Sequence, residues 1–405
     1  MKPSILSLSL ELVQAHRLAR GGGLVGGVYD PPRYLLFEYL FIPGVVLFQR
    51  GSDLTFFPAG VQWDKLQKEV APMDRIRCGV IGLGWFGEHH VDTLQQLPLV
   101  EVTAVCARRD ERVKEIAVKY DIPKAYTDYR KLLADGDIDM VSIVTHVKDH
   151  LKPTVDALRA GKHVFLEKPM ADSVEECDRI LDEERKTDKC FMVGHICRFD
   201  TVYALAKEEI GAGNLGSIIS MHARRNLARW ITESHLHKVS ALFGDGVHDL
   251  DLMLWFTGAK PSSVYAQTMN TRPHLPNDDL GWAMFRLDSG AIAVVENIWC
   301  LPENVPFAID ARMEIVGTEG VIYIDNSGVS YSILTKKGLS YPQSTYWPKV
   351  HGMRRGYLKE ELDYFLKCIV KGEKPAVITP RESRDVVAAM KAAELSAREN
   401  RVITF

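Results

Sequence analysis

The sequence predicts an α/β chain: a doubly wound parallel sheet first, then an α+β part built on a large, mostly antiparallel open sheet. Three observations carry the prediction. Between residues 76 and 195, buried-type apolar runs alternate with helical patterns, the rhythm of strand–helix–strand units with parallel strands. The first run, Val80 and Ile81, passes directly into Gly82-Leu83-Gly84-Trp85-Phe86-Gly87 and then into a helical stretch with Val91, Leu94 and Leu97 spaced along it. From about residue 215 the texture changes, and alternating strands separated by tight turns dominate.

Taken in order, Val100–Cys106 is the second strand, 111–120 reads as helix, 131–135 opens another, and 138–144 is a buried strand. Residues 151–160 are helical, with Gly161 as the C-terminal stop. His163–Leu166 is a strand ending at Glu167-Lys168-Pro169, 173–186 is helical, and Cys190–Val193 leads into Gly194-His195. In the second part, 217–224, 263–269, 281–287, 291–299, 311–316 and 321–325 are strands and 247–256 is helix-like. Asp288-Ser289-Gly290 and Gly317-Thr318-Glu319-Gly320 are hairpin chemistry. Leu358, Leu362, Leu366 and Ile369 share one helix face; Val386, Met390, Ala393 and Ala397 share another. These elements define a domain over 73–195 and a second over 196–405, whose last helices pack back on the first. Residues 1–72 hold a glycine cluster, Pro31-Pro32 and an apolar patch broken by Glu38 and Pro43, with neither period sustained. They are expected to be an atypical leader, disordered or non-native. The alternative is an accessory segment covering a hydrophobic surface.

Composition removes several function classes. With 46% hydrophobic and 25% charged residues and a net charge of −3, the chain reads as soluble and globular, without the basic field that nucleic acid requires. No apolar run reaches the ~20 residues of a membrane span. The seven cysteines (78, 106, 177, 190, 197, 300 and 368) show no CxxC or Cys/His ligand spacing. They fit reduced thiols in a cytoplasmic enzyme better than a disulfide framework or a zinc site. His235-x-His237 has no third ligand spaced nearby, so no metal is expected.

Strand, glycine turn and helix in this order suit a dinucleotide pyrophosphate. Gly82 permits the tight turn, Gly84 lets backbone approach the phosphates, and Gly87 lets helix and strand pack closely. The helix N-terminus adds unpaired N–H groups and partial positive charge. At the end of the second strand, NAD binders commonly place a carboxylate for the ribose 2′-hydroxyl. Here Ala107-Arg108-Arg109 stands there. Two guanidiniums match a 2′-phosphate better, so the reading leans to NADP and keeps NAD open.

These motifs together resemble the Gfo/Idh/MocA oxidoreductase family over residues 75–405. The carriers are the glycine turn, Thr145 with His150, Ala160-Gly161-Lys162-His163-Val164, Glu167-Lys168-Pro169, Gly194-His195 with Arg198-Phe199, Gly246-Val247-His248 with Asp251, and Glu314 to Gly320. The resemblance implies a Rossmann domain, a second domain whose open sheet makes dimers or tetramers, and hydride transfer between nicotinamide and a secondary alcohol or ketone of a sugar, inositol or nucleotide sugar. It implies cofactor contacts from Gly82, Gly84, Trp85, Phe86, Gly87, Arg108, Thr145, His150, Glu167, Lys168 and Arg198.

Such a reaction needs a base within hydrogen-bond reach of the hydroxyl. The resemblance assigns that neighbourhood to Lys168, as polarising group, and His248, as proton acceptor. Many family members carry Asp four residues before this histidine. Gly244 occupies that place, and Asp245 is the nearest carboxylate, so Asp245 is the candidate third member. Asp251, one turn beyond His248, is expected to orient the imidazole or cap the helix. Arg225 and Trp230 are candidate substrate contacts, a guanidinium and an indole able to hold an anion or a stacked sugar. Two other readings share the fold: an NAD-dependent glycoside hydrolase and a non-catalytic dinucleotide sensor. Deletion of residues 2–72 is expected to leave a soluble protein with undiminished turnover; an insoluble or inactive truncation would show the segment to be a working part.

Overall fold

A computed structural model describes residues 40–42, 45–50 and 53–58 as backbone strands, and 75–327, 331–342 and 344–405 in full. Met1–Ala71 and Pro72–Phe405 are separate compact units. In the first, β1 (Leu40–Ile42), β2 (Val45–Arg50) and β3 (Asp53–Pro58) pair antiparallel in that order. The rest of the expectation for 1–72 lies outside the described residues.

The second unit opens with six strands, β4 (Ile76–Ile81), β5 (Val100–Cys106), β6 (Lys124–Tyr126), β7 (Met140–Ile143), β8 (His163–Glu167) and β9 (Phe191–Gly194). Their connections contain α1 (Trp85–Leu94), α2 (Asp110–Lys119), α3 (Tyr129–Leu133), α4 (Leu151–Arg159) and α5 (Val174–Glu184). All pairings are parallel, in the order β6-β5-β4-β7-β8-β9. Val80, Val105, Val141, Val164 and Phe165 are buried, as in a sheet covered on both faces, where strands are apolar runs rather than alternations. The order reverses between β4 and β7, the switch point at which open α/β sheets bind ligands. Because the strands are parallel, the residues following β4, β7, β8 and β9 lie along one edge: Gly82, Thr145, Lys168 and His195.

The chain then forms α6 (Thr201–Gly211), β10 (Ile218–Leu227), α7 (Arg229–Leu236) and α8 (Ala241–Thr257). Strands β11 (Pro261–Met269), β12 (Leu280–Leu287), β13 (Ile292–Ile298), β14 (Ile309–Gly317) and β15 (Val321–Asp325) complete most of a seven-stranded sheet, ordered β15-β14-β10-β13-β12-β11 and closed by a C-terminal edge strand at Ile403–Thr404. Only β10 and β13 pair in parallel. Alternation is clean. Val264, Ala266, Ala283, Phe285, Ala293 and Val295 are buried, whereas Tyr265, Trp282, Met284, Ile292 and Tyr323 face out. The buried face receives α8 and α10 (Pro380–Glu399), the latter preceded by α9 (Tyr357–Lys371). Ser240 caps α8 by accepting from Phe243 N at 3.1 Å, and Gly258 ends it in the left-handed region at φ +65°. A Thr379/Glu382 capping box with Pro380 in the first turn starts α10. The last helices reach the first sheet's layer: Arg384 donates to Asp178 at 2.8 Å, and Phe365 meets Phe165 edge-on.

Several elements differ from expectation. Helix α8 begins at Ala241 rather than 247; its first turns hold two glycines that weaken the sequence signal. Strand β6 and helix α6 were not anticipated, and Trp230, a candidate substrate contact, stands in the first turn of α7.

The glycine turn is defined by space. Gly82 sits at φ +98°, and a Cβ at Gly87 would lie 1.9 Å from Gly82 O, whereas a Cβ at Gly84 meets nothing within 4 Å. Gly87→Ala is therefore expected to cost about 2–3 kcal/mol in urea unfolding, and Gly84→Ala to stay within about 0.5 kcal/mol of the parent.

Candidate active site

Glu167 ends β8 buried, and its carboxylate accepts from the Lys168 amide at 3.1 Å and contacts His90 Nε2 at 3.1 Å. His90, on α1, also contacts Ser142 Oγ at 3.0 Å. This bracing holds the start of the Lys168 segment; the Lys168–Pro169 peptide is cis. From there Lys168 crosses to the second sheet's layer, where its Nζ donates to Gly244 O at 3.0 Å and lies 3.6 Å from Asp245 Oδ1. His248, one turn along α8, has its Nε2 4.0 Å from the same oxygen. Amine and imidazole thus flank one carboxylate oxygen, each contributed by a different sheet's layer.

The displacement of the carboxylate from 244 to 245 has a steric reason. A Cβ on Gly244 would come within 2.5 Å of Trp299 Cη2, and the indole of Trp299 donates to Asp245 Oδ2 at 2.9 Å. Trp299 fills the place a side chain at 244 would need and holds the one at 245. Sequence reasoning missed it, since 54 positions separate the pair.

Burial drives the His248 pKa well below the ordinary 6.5, and the positive charges of Lys168 and Arg225 push the same way. His150 and His195, also buried, are lowered too. His248 Nδ1 faces Cys197 Sγ at 3.6 Å, another neighbour not foreseen. His195 follows β9 beside Asp251, 3.6 Å away, and neither ring nitrogen has a hydrogen-bond partner among the described residues. Glu361, on α9, is likewise buried without a hydrogen-bond partner there. Burial, then the carboxylates Glu167 and Asp251, raises its pKa well above the usual range.

Arg225, Arg198 and Asp251 are engaged with one another's neighbourhoods rather than with the open cleft. Arg225 is 4% exposed and donates to Asp249 at 2.8 and 3.3 Å, so it lies beneath the site rather than open to substrate. Arg198 is buried with donors on Asp251 (2.7 and 2.8 Å), Glu382 and Val377 O, so its charge is answered by Asp251 and Glu382 within the protein. Asp251 accordingly answers Arg198 and His195, not His248. Trp230 is exposed at the start of α7.

The residues at the switch point fit a dinucleotide. Gly84 caps α1 with no side chain over the helix N-terminus, and the space before it is open, which is what a pyrophosphate needs. Thr145 follows β7, and its carbonyl is contacted by His150 Nε2 at 3.1 Å; His150 Nδ1 reaches Pro169 O at 2.9 Å. Trp85 and Phe86 lie in the first turn of α1. Arg112, unforeseen, donates to Leu83 O at 2.9 Å and pins the turn to α2. Arg108 is 82% exposed and 3.4 Å from Asp149.

Three buried imidazoles held neutral make stability depend on pH. Their folded pKa values lie below 6.5, so the unfolded chain binds more protons as pH falls below that value. The stabilisation is complete above about pH 6.5 and is lost on acidification. Calorimetry is expected to show Tm falling between about pH 6.5 and pH 5, before most carboxylates titrate, with a shallower slope in His195→Asn.

Residues 76–195 match the model of an oxidoreductase family with an NAD-binding Rossmann fold, and 203–323 match the GFO/IDH/MocA C-terminal domain. A scyllo-inositol 2-dehydrogenase (NAD(+)) of Bacillus subtilis is 30% identical over 311 residues, 75% of this chain and 89% of the relative. A myo-inositol 2-dehydrogenase of Thermotoga maritima is 28% identical over 314 residues, 75% and 90% of the two chains. The crystal structure of scyllo-inositol dehydrogenase from Lactobacillus casei with NAD(H) and scyllo-inositol superposes with a TM-score of 0.72 at 22% identity, covering 82% of this chain and 99% of the other. With a glycine turn at the switch point, a lysine after β8 and a histidine from the second sheet's layer, the chain belongs to the Gfo/Idh/MocA family of nicotinamide-dependent oxidoreductases acting on CH–OH groups.

Proposed function

We propose that this enzyme is an NAD-dependent dehydrogenase of a cyclic polyol of the inositol class, with Lys168, Asp245 and His248 around the reacting hydroxyl. The observation that carries the reading is the convergence of Lys168 Nζ and His248 Nε2 on Asp245 Oδ1, together with relatives named inositol 2-dehydrogenase. A bound nicotinamide dinucleotide supplies the hydride acceptor. Gly82, Gly84, Gly87 and the first turn of α1 would hold its pyrophosphate, and Thr145 would border its nicotinamide half.

His248, neutral and buried, takes the hydroxyl proton on Nε2. In that role the ring carries its own hydrogen on Nδ1, toward Cys197 Sγ. Lys168 has three donors; one reaches Gly244 O and one faces Asp245, which leaves one for the substrate oxygen. Asp245, anchored by Trp299, sets the distance between the two. At the adenosine end the lean toward NADP weakens. Asp149 stands beside Arg108, so a 2′-phosphate would meet a carboxylate as well as the guanidinium, and NAD fits better.

The apolar outer face of the second sheet, with Trp282, Met284 and Tyr323 exposed, supports a homodimer or homotetramer formed through it. Seven free thiols support a reducing, cytoplasmic setting. No helix among the described residues is long and apolar enough to cross a membrane.

The test is a panel of inositols, hexoses, uronates and nucleotide sugars with NAD and with NADP, following reduced-nicotinamide absorbance. Inositol oxidation with NAD is expected to dominate. Lys168→Ala and His248→Ala are each expected to lower kcat by about 100-fold or more with dinucleotide Kd little changed. No turnover of any inositol, or undiminished kcat in both variants, overturns the reading.

A further inference from the structure

We propose that Trp347 is a positioning residue for the nicotinamide half of the dinucleotide, delivered to the first sheet's layer by a strap from the second half of the chain. Residues 344–356 leave the second sheet's layer and lie against α1. Arg354 fastens them, its Nε donating to Asp92 Oδ2 at 2.7 Å and its amide to Gln96 Oε1 at 2.6 Å. Lys349 Nζ reaches the same Asp92 oxygen at 3.0 Å. Arg354 Nη1 also donates to Trp347 O at 2.7 Å, which ties the anchor to the backbone that carries the indole. At the other end a Cβ on Gly356 would meet Thr345 O at 2.0 Å, which fixes the turn by which the strap enters α9.

The indole is thereby set against the first turn of α1. Its ring lies 5.6 Å from Trp85, 5.2 Å from Phe86 and 5.7 Å from His89, all edge-on. Trp85 is 63% exposed, so two indoles border the open end of the helix at which the glycine turn stands. The side of α1 they occupy is the catalytic one. Phe86 meets His90 edge-on at 5.0 Å, His90 contacts Glu167 at 3.1 Å, and Glu167 accepts from the Lys168 amide. The adenosine side of the same helix is marked by Glu88, which pairs with Arg112 and Lys119 of α2. An aromatic wall on the Lys168 side can stack on or confine the nicotinamide end and has no reach to the adenosine end.

This rests on the assignment of Lys168 to the nicotinamide side, and the test separates the two. In the full-length protein, NADH and ADP-ribose affinities are measured by tryptophan fluorescence and calorimetry for the parent, Trp347→Leu and Trp347→Phe. Trp347→Leu is expected to weaken NADH about fivefold to tenfold, the scale of one aromatic contact, to leave ADP-ribose unchanged, and to recover in Trp347→Phe. Unchanged NADH affinity, or equal losses for NADH and ADP-ribose, overturns the proposal. A Lys168→Ala variant with undiminished kcat would overturn the catalytic assignment while leaving the affinity split to stand or fall by itself.

Discussion

The rotation of one helix about its axis is the constraint on which the site depends. Helix α8 contributes Gly244, Asp245 and His248 to the cleft, and a turn of a few tens of degrees would carry all three away from Lys168. Two buried ion pairs prevent it. Asp249 faces the sheet and takes Arg225 of β10; Asp251 faces the other layer and takes Arg198, which follows β9. The two acids are two residues apart and point to different sides, so the helix is held from both. Burying such pairs is costly, and removing one partner of a buried pair typically destabilises by about 3–5 kcal/mol. What the pairs specify is the facing direction of His248 on the same helix.

The same logic runs through the other wall. Glu167 fixes Lys168 through its amide, His90 holds Glu167, and Ser142 holds the far side of the His90 ring; Glu167, His90 and Ser142 are all buried. A carboxylate in this position without those partners would take up a proton or swing out. Glu361, close by and without a partner among the described residues, avoids adding negative charge because burial and its acidic neighbours favour its neutral form. The interior behind the cleft is thus a lattice of polar groups in which each ionised member has an opposite charge or a donor.

Much of this was legible from residues. The parallel sheet follows from the alternation of apolar runs and helices, and the glycine turn from three glycines whose spacing leaves little choice. Lys168 and His248 came from motif resemblance, and the structure brings them to one oxygen. What could not be read was depth. Arg198 and Arg225 are chemically suited to bind anions, yet their partners, Asp251 and Asp249, lie 53 and 24 positions away, and no local pattern says that the arginines turn inward. The shift from position 244 to 245 was visible as a departure, but its compensation by Trp299 is a tertiary contact. The strap at 344–356 has no periodic signal because its order comes from ion pairs to Asp92 rather than from a repeating apolar face.

In the proposed reaction the charges around His248 impose a trade. Lys168 and Arg225 make a protonated imidazole unfavourable, which weakens the base. The positive head of Lys168 also favours negative charge on a substrate oxygen beside it, which makes the hydroxyl a better acid. The two effects oppose in the proton's departure, but they act at different distances. Arg225 has its own counter-ion in Asp249 at 2.8 Å, and Asp245 lies between Lys168 and the imidazole. The carboxylate oxygen stands 3.6 Å from the ammonium and 4.0 Å from the imidazole, so it answers the charge of Lys168 on the side where the ring lies. With Asp245 held by Trp299, the ammonium keeps a donor for the substrate oxygen and the imidazole stays neutral, with its ring nitrogen open to a proton. In the proposed reaction the position of a single carboxylate oxygen, with the lysine and the histidine around it, sets where the alcohol would lose its proton.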